Sequence, residues 1–350
     1  MIPHSVRSDR CWPILWATFA ALALAWAAPC GLSQGSGQTA PPPSDPGLEW
    51  APWQLARVVD GDTLGVVSPD DGASELVRLL CADTEEKSAS NSSATKPATA
   101  FGLYTAGWAA GWFRPLEGEP SPPTVYLGHE VGGEDRDSYG RLLAHVWYRG
   151  CNYGTKLVRE GWSPYFNKYG NSRVYDVELR EAQRLAQEEH LGIWDPERAK
   201  EGATRPYAEL LEWWDLRASL IDRFREWDRE HPDEVLEVRT DLEQIRQRCA
   251  DGEDLVVFGE IVNIREVRGG NLWLEFDTPR DLPFIVFVPS SARRALDGSH
   301  LGEITGTYAR NYAYFRGTGA MYHDIAEIVF SSAEQILLDW PPNGRGAAGL

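Results

Sequence analysis

Three short stretches place ionisable side chains at spacings suited to breaking a phosphodiester bond: Val59-Asp60-Gly61-Asp62-Thr63, Arg78-Leu79-Leu80-Cys81-Ala82-Asp83-Thr84-Glu85-Glu86 and Asp137-Ser138-Tyr139-Gly140-Arg141. A hard divalent cation takes clustered carboxylate oxygens, which Asp62 and Asp83 supply. Water attacking phosphorus needs a carboxylate base, and Glu86 is placed for that task. The charge that grows on the phosphoryl oxygens is matched by planar, permanently protonated guanidinium groups, here Arg78 and Arg141. Taken singly, each of these residues reads as a charged turn residue solvating a loop. Together they point to a site.

The elements that must position them follow from the hydrophobic pattern. Residues 53–67 read as strand, turn and strand, with Gly61 giving the Asp60-Gly61-Asp62 turn its backbone freedom, and 75–82 is a strand that ends where Asp83 emerges. A helix is expected over 98–113 despite Gly102, Gly107 and Gly111. Residues 124–129 and 141–148 read as strands, the latter with alternating apolar positions. Helices follow over 153–160 and 174–190, and Gly192 with Asp195-Pro196 closes the unit. The carboxylates of the turn and of the strand end meet only if the strands close over one another. A bound cation is therefore expected to stabilise the fold.

In order and spacing these residues resemble the staphylococcal nuclease (thermonuclease) family. The resemblance runs from Leu55 to Trp194, through Asn152, Leu157-Val158-Arg159-Glu160-Gly161, Glu181-Ala182-Gln183 and Leu191-Gly192-Ile193-Trp194. It implies a five-stranded OB-type barrel with helices, and a Ca²⁺-dependent endonuclease of low sequence specificity acting on DNA and RNA, single strands preferred. It implies that Asp62, Asp83 and the backbone carbonyl of Thr84 hold the ion, with Asp60 a minor contributor beside them. Arg78 and Arg141 clamp the phosphate, and Glu86 activates water for in-line attack that cleaves the 5′ P–O bond and leaves 3′-phosphate ends. Family tyrosines that contact the nucleotide have Tyr165, Phe166 and Tyr169 in their neighbourhood here. Tyr139 is a further candidate for substrate contact, equally readable as bracing its turn together with Asp137. One position departs from the pattern: Glu85 stands where the family usually has Pro, which removes a φ restriction and predicts a looser aim for the neighbouring base. The alternative is a catalytically silent relative that binds nucleic acid or protein at the cell envelope. Against it, none of the five site residues is lost.

A net charge of −18 excludes tight, non-specific coating of nucleic acid, which needs fields of Lys and Arg. Catalysis is compatible with it, because a bound cation and two site arginines invert the local potential. At the N-terminus, Arg7 and Arg10 precede an apolar run over 12–28, Ala25-Trp26-Ala27 offers a small-x-small cleavage site, and 31–46 is a Gly-, Ser- and Pro-rich lead-in. At about 17 residues the run is at the short limit for spanning a bilayer, so it reads as a signal peptide or a retained membrane anchor. Either makes the protein exported, whether secreted, periplasmic or held at the cell envelope. Past this leader, Cys81, Cys151 and Cys249 are an odd set, which predicts buried thiols rather than a disulfide framework.

The organisation expected is a leader at 1–28, a flexible linker at 29–50, a nuclease-like unit at 51–197, a helical connector at 203–250 and a second barrel at 251–340. The connector reads as helices over 207–229 and 233–250, broken at His231-Pro232. Trp213, Trp214, Leu216, Leu220, Ile221 and Phe224 recur at helical spacing for core contacts against one of the barrels. From Leu255 the period shortens, and strands are expected over 255–261, 272–276, 284–288, 302–308 and 326–330, with a Gly269-Gly270-Asn271 turn and a helix-like 291–296. Five strands with one short helix before the fourth resemble an OB-fold. The fold class is thus mainly β with α, an α+β chain of two barrels. Trp273, Tyr308, Tyr312, Tyr314, Phe315 and Tyr322, with Arg265, Arg268, Arg310 and Arg316, are candidates for a single-strand stacking platform; aromatic barrel core is the plainer reading. His129, His145, His190, His300 and His323 are scattered, without the spacing of a zinc site.

Overall fold

The computed structural model of the chain describes residues 41–89, 96–299, 301, 304–305, 308–309 and 311–337. The expected leader, His300, Arg310 and the side chain of Tyr308 lie outside the described residues. Among the described residues no helix is long and apolar enough to cross a membrane.

The first sheet contains β1 (Leu48–Val58), β2 (Thr63–Val67), β3 (Ser74–Leu79), β4 (Thr124–Glu130), β5 (Leu142–Tyr148) and β6 (Cys151–Asn152), in the order β3-β2-β1-β4-β5-β6. A parallel pairing of β3 with β5, from Val77↔Leu142 to Leu79↔Ala144, closes the first five strands into a barrel. Strand alternation fills it: Leu64 and Val66, Val77 and Leu79, Val125 and Leu127, and Leu142, Ala144 and Val146 all point inward. β1 begins ahead of the expected Trp53, because Leu48 to Gln54 pair residue for residue with β4. Helix α1 (Ala100–Trp112) connects β3 to β4; Ala109 and the following Phe113 join the barrel core, where the Phe113 ring meets Tyr148 and Tyr153. Helix α2 (Tyr153–Arg159) is capped by the Asn152 side chain, and α3 (Asp176–Glu188) buries Leu179, Ala182 and Ala186.

After the short α4 (Pro196–Lys200) runs α5 (Tyr207–Asp228). Its apolar stripe touches both barrels rather than one. Trp214 clusters with Phe101 and Ile193 of the first, while Ile221, Phe224 and Trp227 cluster with Phe258 and Tyr314 of the second. The helix expected over 233–250 divides into β7 (Leu236–Glu237) and α6 (Leu242–Asp251). Val235, Leu236 and Val238 are fully buried there, and Leu236 and Glu237 pair in parallel with Val257 and Phe258, so tertiary pairing overrides helical continuation.

The second sheet adds β8 (Asp254–Val267), β9 (Asn271–Phe276), β10 (Phe284–Val288), the two-residue strands β11 (Ile304–Thr305) and β12 (Tyr308–Ala309) as a separate ribbon, β13 (Tyr312–Tyr322) and β14 (Ile325–Val329). Helix α7 (Arg293–Asp297) lies between β10 and β11. β8-β9-β10-β14-β13 closes on itself through β13–β8, with β10 and β14 parallel. This is the connectivity of the first barrel repeated. The expected fourth strand at 302–308 is displaced to β13, which the sequence hides behind Gly317-Thr318-Gly319. Those glycines serve close approach: a Cβ at Gly317 would stand 2.5 Å from Ile328 Cγ2, and one at Gly319 would stand 2.8 Å from Cys249 Cα. Phe315 is barrel core, Tyr314 packs among Ile221, Phe224 and Phe258, and Tyr312 donates to Glu260. Trp273 lies under Arg265, and Tyr322 is exposed at the far end of β13, so these aromatic residues form no shared stacking face. Cys81, Cys151 and Cys249 are buried.

Candidate active site

The β1–β2 turn folds back through Val59 N–H and Asp60 N–H, both donating to the carbonyl of Thr63, and Asp62 N–H bonds Asp60 Oδ1 at 3.3 Å. Gly61 has no positive φ; a Cβ there would stand 2.6 Å from the methyl carbons of Thr84 and Thr105, so space rather than backbone freedom requires glycine. On β3, Arg78 pairs with Thr63 of β2, which puts its guanidinium beside the turn. Past β3 the chain turns sharply at Cys81, with φ of 63°, and Asp83 N–H bonds Ser163 Oγ at 2.8 Å.

These constraints bring Asp60, Asp62, Arg78, Asp83, Thr84 and Glu86 together. Arg78, expected on the phosphate, is here the bridge between the two aspartates: Nη1 lies 3.0 Å from Asp62 Oδ2, Nη2 lies 2.6 Å from Asp83 Oδ1, and Nη1 also donates to the carbonyl of Ala82. Thr84 donates its backbone N–H (2.7 Å) and its hydroxyl (3.1 Å) to Asp62 Oδ2. Glu86 is fixed by its backbone, whose carbonyl accepts from Thr99 N–H. Gly102 lets α1 press on that same carbonyl, since a Cβ there would stand 2.2 Å from it. A glycine that weakens the helix locally thus seats Glu86.

Glu85 does not loosen this loop. Its side chain is fully buried, and its Oε1 accepts from Arg205 N–H (3.1 Å), Arg205 Nε (3.3 Å) and Tyr207 Oη (2.5 Å). Arg205 Nη2 also reaches Asp83 Oδ2 at 2.8 Å. The residue that replaces the family's proline is therefore a latch, gripped by the segment that leads into α5. A third cation stands inside the cluster: Lys96 Nζ is 2.7 Å from Asp83 Oδ1, 2.9 Å from Glu86 Oε1 and 3.8 Å from Asp62 Oδ2. Lys96, Arg205, Tyr207 and Ser163 were not foreseen as site residues. Arg205 lies 120 residues from Glu85, and no local pattern signals such a pairing.

Five carboxyl groups, of Asp60, Asp62, Asp83, Glu85 and Glu86, thus surround three cationic groups, of Arg78, Lys96 and Arg205. Surplus negative charge follows. Burial, and then the neighbouring Asp62, push the Asp60 carboxyl up to about 7. Burial alone would raise Asp83 too, but Lys96, Arg205 and Arg78 hold it far below the usual carboxylate range; Arg78 and Lys96 also lower Asp62 against its burial. This donor chemistry fits a hard divalent cation, and Asp62 and Asp83 with a backbone oxygen could hold one. Among the described residues no three His, Cys, Asp or Glu side chains form a ready metal cage.

Arg141 stands apart with its own partner. Nε and Nη2 each lie 2.7 Å from Asp137 Oδ2, while Asp137 Oδ1 accepts from the backbone of Tyr139 and Arg141. Tyr139 is exposed, with the guanidinium carbons of Arg141 and Arg280 each 5.6 Å from its ring centroid. The Tyr169 ring lies beneath Lys168 Nζ at 5.4 Å and the Arg239 guanidinium carbon at 5.2 Å. Tyr165 is a correction to the expected substrate contacts: it is buried, its hydroxyl donates to Asp176 and accepts from Ser172 N–H, and it belongs to the core under α3. Phe166 is likewise committed, edge-on to Trp214 at 4.8 Å.

Comparison with known proteins bears on this arrangement. The model of the staphylococcal nuclease homologue family matches residues 125–196. The thermonuclease of Staphylococcus intermedius is 34% identical over 141 residues, which cover 40% of this chain and 74% of that protein. The thermonuclease of Staphylococcus hyicus is 28% identical over 142 residues, 41% of this chain and 75% of that protein. Endonuclease YhcR of Bacillus subtilis is 29% identical over 161 residues, 45% of this chain but 12% of that much longer protein.

Proposed function

The chain belongs to the staphylococcal nuclease family, and from that premise we propose that it is an exported, Ca²⁺-dependent endonuclease hydrolysing DNA and RNA, single strands preferred, with little sequence specificity. The observation that carries this reading is the convergence of Asp62, Arg78, Asp83 and Glu86 at one end of the first barrel, with carboxylates in excess over cations. Asp62, Asp83 and the carbonyl of Thr84 would hold the ion, with Asp60 beside them. A bound ion would supply Lewis-acid charge to the phosphodiester under attack.

The chain's own residues do the rest. Glu86 takes a proton from the water as the water oxygen bonds to phosphorus, the P–O5′ bond breaks, and the leaving 5′ oxygen takes up a proton from solvent, so the 3′-phosphate stays on the preceding nucleotide. Arg141, partly exposed and held planar against Asp137, presents its remaining N–H groups to the phosphoryl oxygens, and Arg78 braces the aspartates while offering charge to the same side. Tyr139 and Tyr169 are the aromatic groups proposed to meet the nucleotide. Export rests on the charged, then apolar, N-terminal sequence. The division proposed for the chain is nuclease unit 51–197, connector 203–250 and second barrel 251–340.

The test is digestion of heat-denatured DNA by the full chain, with Ca²⁺ and with chelator, beside Glu86→Gln and Arg141→Ala. Ca²⁺-dependent cleavage lost in both variants is the expected result. One observation favours a second reading: both Asp83 oxygens are engaged by cationic side chains. A folded parent that binds the DNA without cutting it would establish that silent-binder reading instead.

A further inference from the structure

We propose that Lys96 is an intramolecular competitor for the divalent cation, a residue that sets how much of the ion the site requires and keeps Glu86 paired until the ion arrives. This rests on the metal-binding reading above. The Lys96 ammonium lies 2.7 Å from Asp83 Oδ1, 3.8 Å from Asp62 Oδ2 and 2.9 Å from Glu86 Oε1. It therefore sits among the two carboxylates proposed as ligands and the carboxylate proposed as base. An ammonium and a hard divalent ion seek the same oxygens, and Asp83 Oδ1, already shared by Arg78 Nη2 and Lys96 Nζ, would meet strong repulsion from a third, doubly charged cation unless the ammonium left.

The other two cations of the cluster are built in differently. Arg78 rises from β3 and is tied to the carbonyl of Ala82; Arg205 is tied to Glu85 and to the hydroxyl of Tyr207. Both therefore remain when an ion enters. Lys96 comes from the turn ahead of α1, outside any strand or helix, on a four-carbon stem that can withdraw its compact charge to water. Ion entry would then accomplish two things at once: it neutralises Asp62 and Asp83, and it breaks the Lys96–Glu86 pair so that the base can accept a proton. A divalent ion outcompetes a single ammonium for two carboxylates, whereas monovalent ions do not, so Lys96 also enforces the charge of the ion.

Two measurements on the full chain test this. Calorimetric titration with Ca²⁺ should give a dissociation constant about tenfold lower for Lys96→Met than for the parent, and little change for Lys96→Arg, which keeps the charge. Mass-spectrometric footprinting with an amine-acylating reagent needs no variant: Lys96 should be protected without Ca²⁺ and acylated with it, while the exposed Lys200 serves as internal standard. Equal or weaker Ca²⁺ binding by Lys96→Met, or acylation of Lys96 that does not rise with Ca²⁺, overturns the competitor role and leaves the metal reading intact. Absence of Ca²⁺ binding in both folded proteins overturns the metal reading and this inference with it. Binding by Lys96→Met alone supports a competitor stronger than expected.

Discussion

The two barrels share one connectivity and differ in what their turns carry. In each, the first strand pairs with the second and fourth, and the third lies parallel to the fifth. In the first barrel the turn after strand one is Asp60-Gly61-Asp62, and the chain leaving strand three delivers Asp83, Glu85 and Glu86 into a buried ion cluster. In the second, the matching turn is Arg268-Gly269-Gly270, with both glycines at positive φ, and strand three leads into Pro289-Ser290-Ser291. The strands only set where side chains can meet. Among the described residues the ion cluster is carried by loops, which is why one scaffold holds it and its repeat, with other loops, does not.

The comparison breaks first at Glu86. Glu86→Gln keeps size and shape but removes the base, and should lower kcat for DNA cleavage by about a thousandfold while leaving the melting temperature near that of the parent. A comparable loss from a substitution in the second barrel's turn, such as Arg268→Met, would mean that the wrong barrel has been assigned the chemistry. The next effect is on stability. Arg205→Met strands the buried Glu85 and should cost about 4 kcal/mol in urea unfolding, whereas the exposed Arg268→Met should stay within about 0.5 kcal/mol. The double variant Glu85→Gln/Arg205→Met should recover about 2 kcal/mol of the summed loss, and strict additivity would disprove the latch.

Much of the first barrel could be read in advance because its signals are local. Alternating apolar residues mark β2 to β5, and the spacing of Asp62, Arg78, Asp83 and Glu86 is itself the motif. What escaped depends on contacts distant in sequence. Glu85 looks like a lost proline until Arg205 and Tyr207 are folded onto it from 120 and 122 residues away. Tyr165 looks like a substrate contact until Asp176 and Ser172 claim its hydroxyl. In the second barrel, β13 gives no strand signal in the sequence because Gly317-Thr318-Gly319 imitates a turn, although those glycines admit Ile328 and Cys249. The 236–237 stretch reads as helix in the sequence, because only its pairing with β8 makes it a strand.

Acid titration sharpens the contrast between barrels. At the end of β4, burial would raise the Glu130 carboxyl, but His145 at 3.0 Å, the Ser172 hydroxyl and Arg173 N–H hold it down at about 2, against an ordinary 4.5. A carboxyl lowered on folding stabilises the fold above its unfolded value and loses that contribution as pH falls through its folded one. Glu130 should therefore contribute about 3 kcal/mol at neutral pH, lost between the ordinary carboxylate range and strongly acid solution. Glu130→Gln should flatten that limb of the stability profile; an unchanged limb would show that the pair does not form in solution. Glu327 on β14 of the second barrel is raised by burial, the opposite sign, so Glu327→Gln should leave neutral-pH stability equal or slightly higher.

The smallest effect asks whether the second barrel takes part in the chemistry of the first. The barrels are joined by charged contacts: Lys168 of the first bonds Asp277 of the second at 2.8 Å, and Arg239 lies 3.5 Å from Glu134. Beside these, Arg280 of the β9–β10 loop shares the exposed Tyr139 ring with Arg141. If Tyr139 meets the nucleotide, Arg280 both orients that ring and adds a positive charge where the strand must pass. Arg280→Ala should then raise KM about threefold, the equivalent of an exposed cation–π contact, with kcat unchanged and the melting temperature within a degree or so of the parent. A fall in kcat with KM unchanged would instead place the influence of Arg280 at the reacting phosphate, through Arg141. No change in either constant would confine the second barrel to bracing the loops it touches, and the difference between the two barrels would be complete.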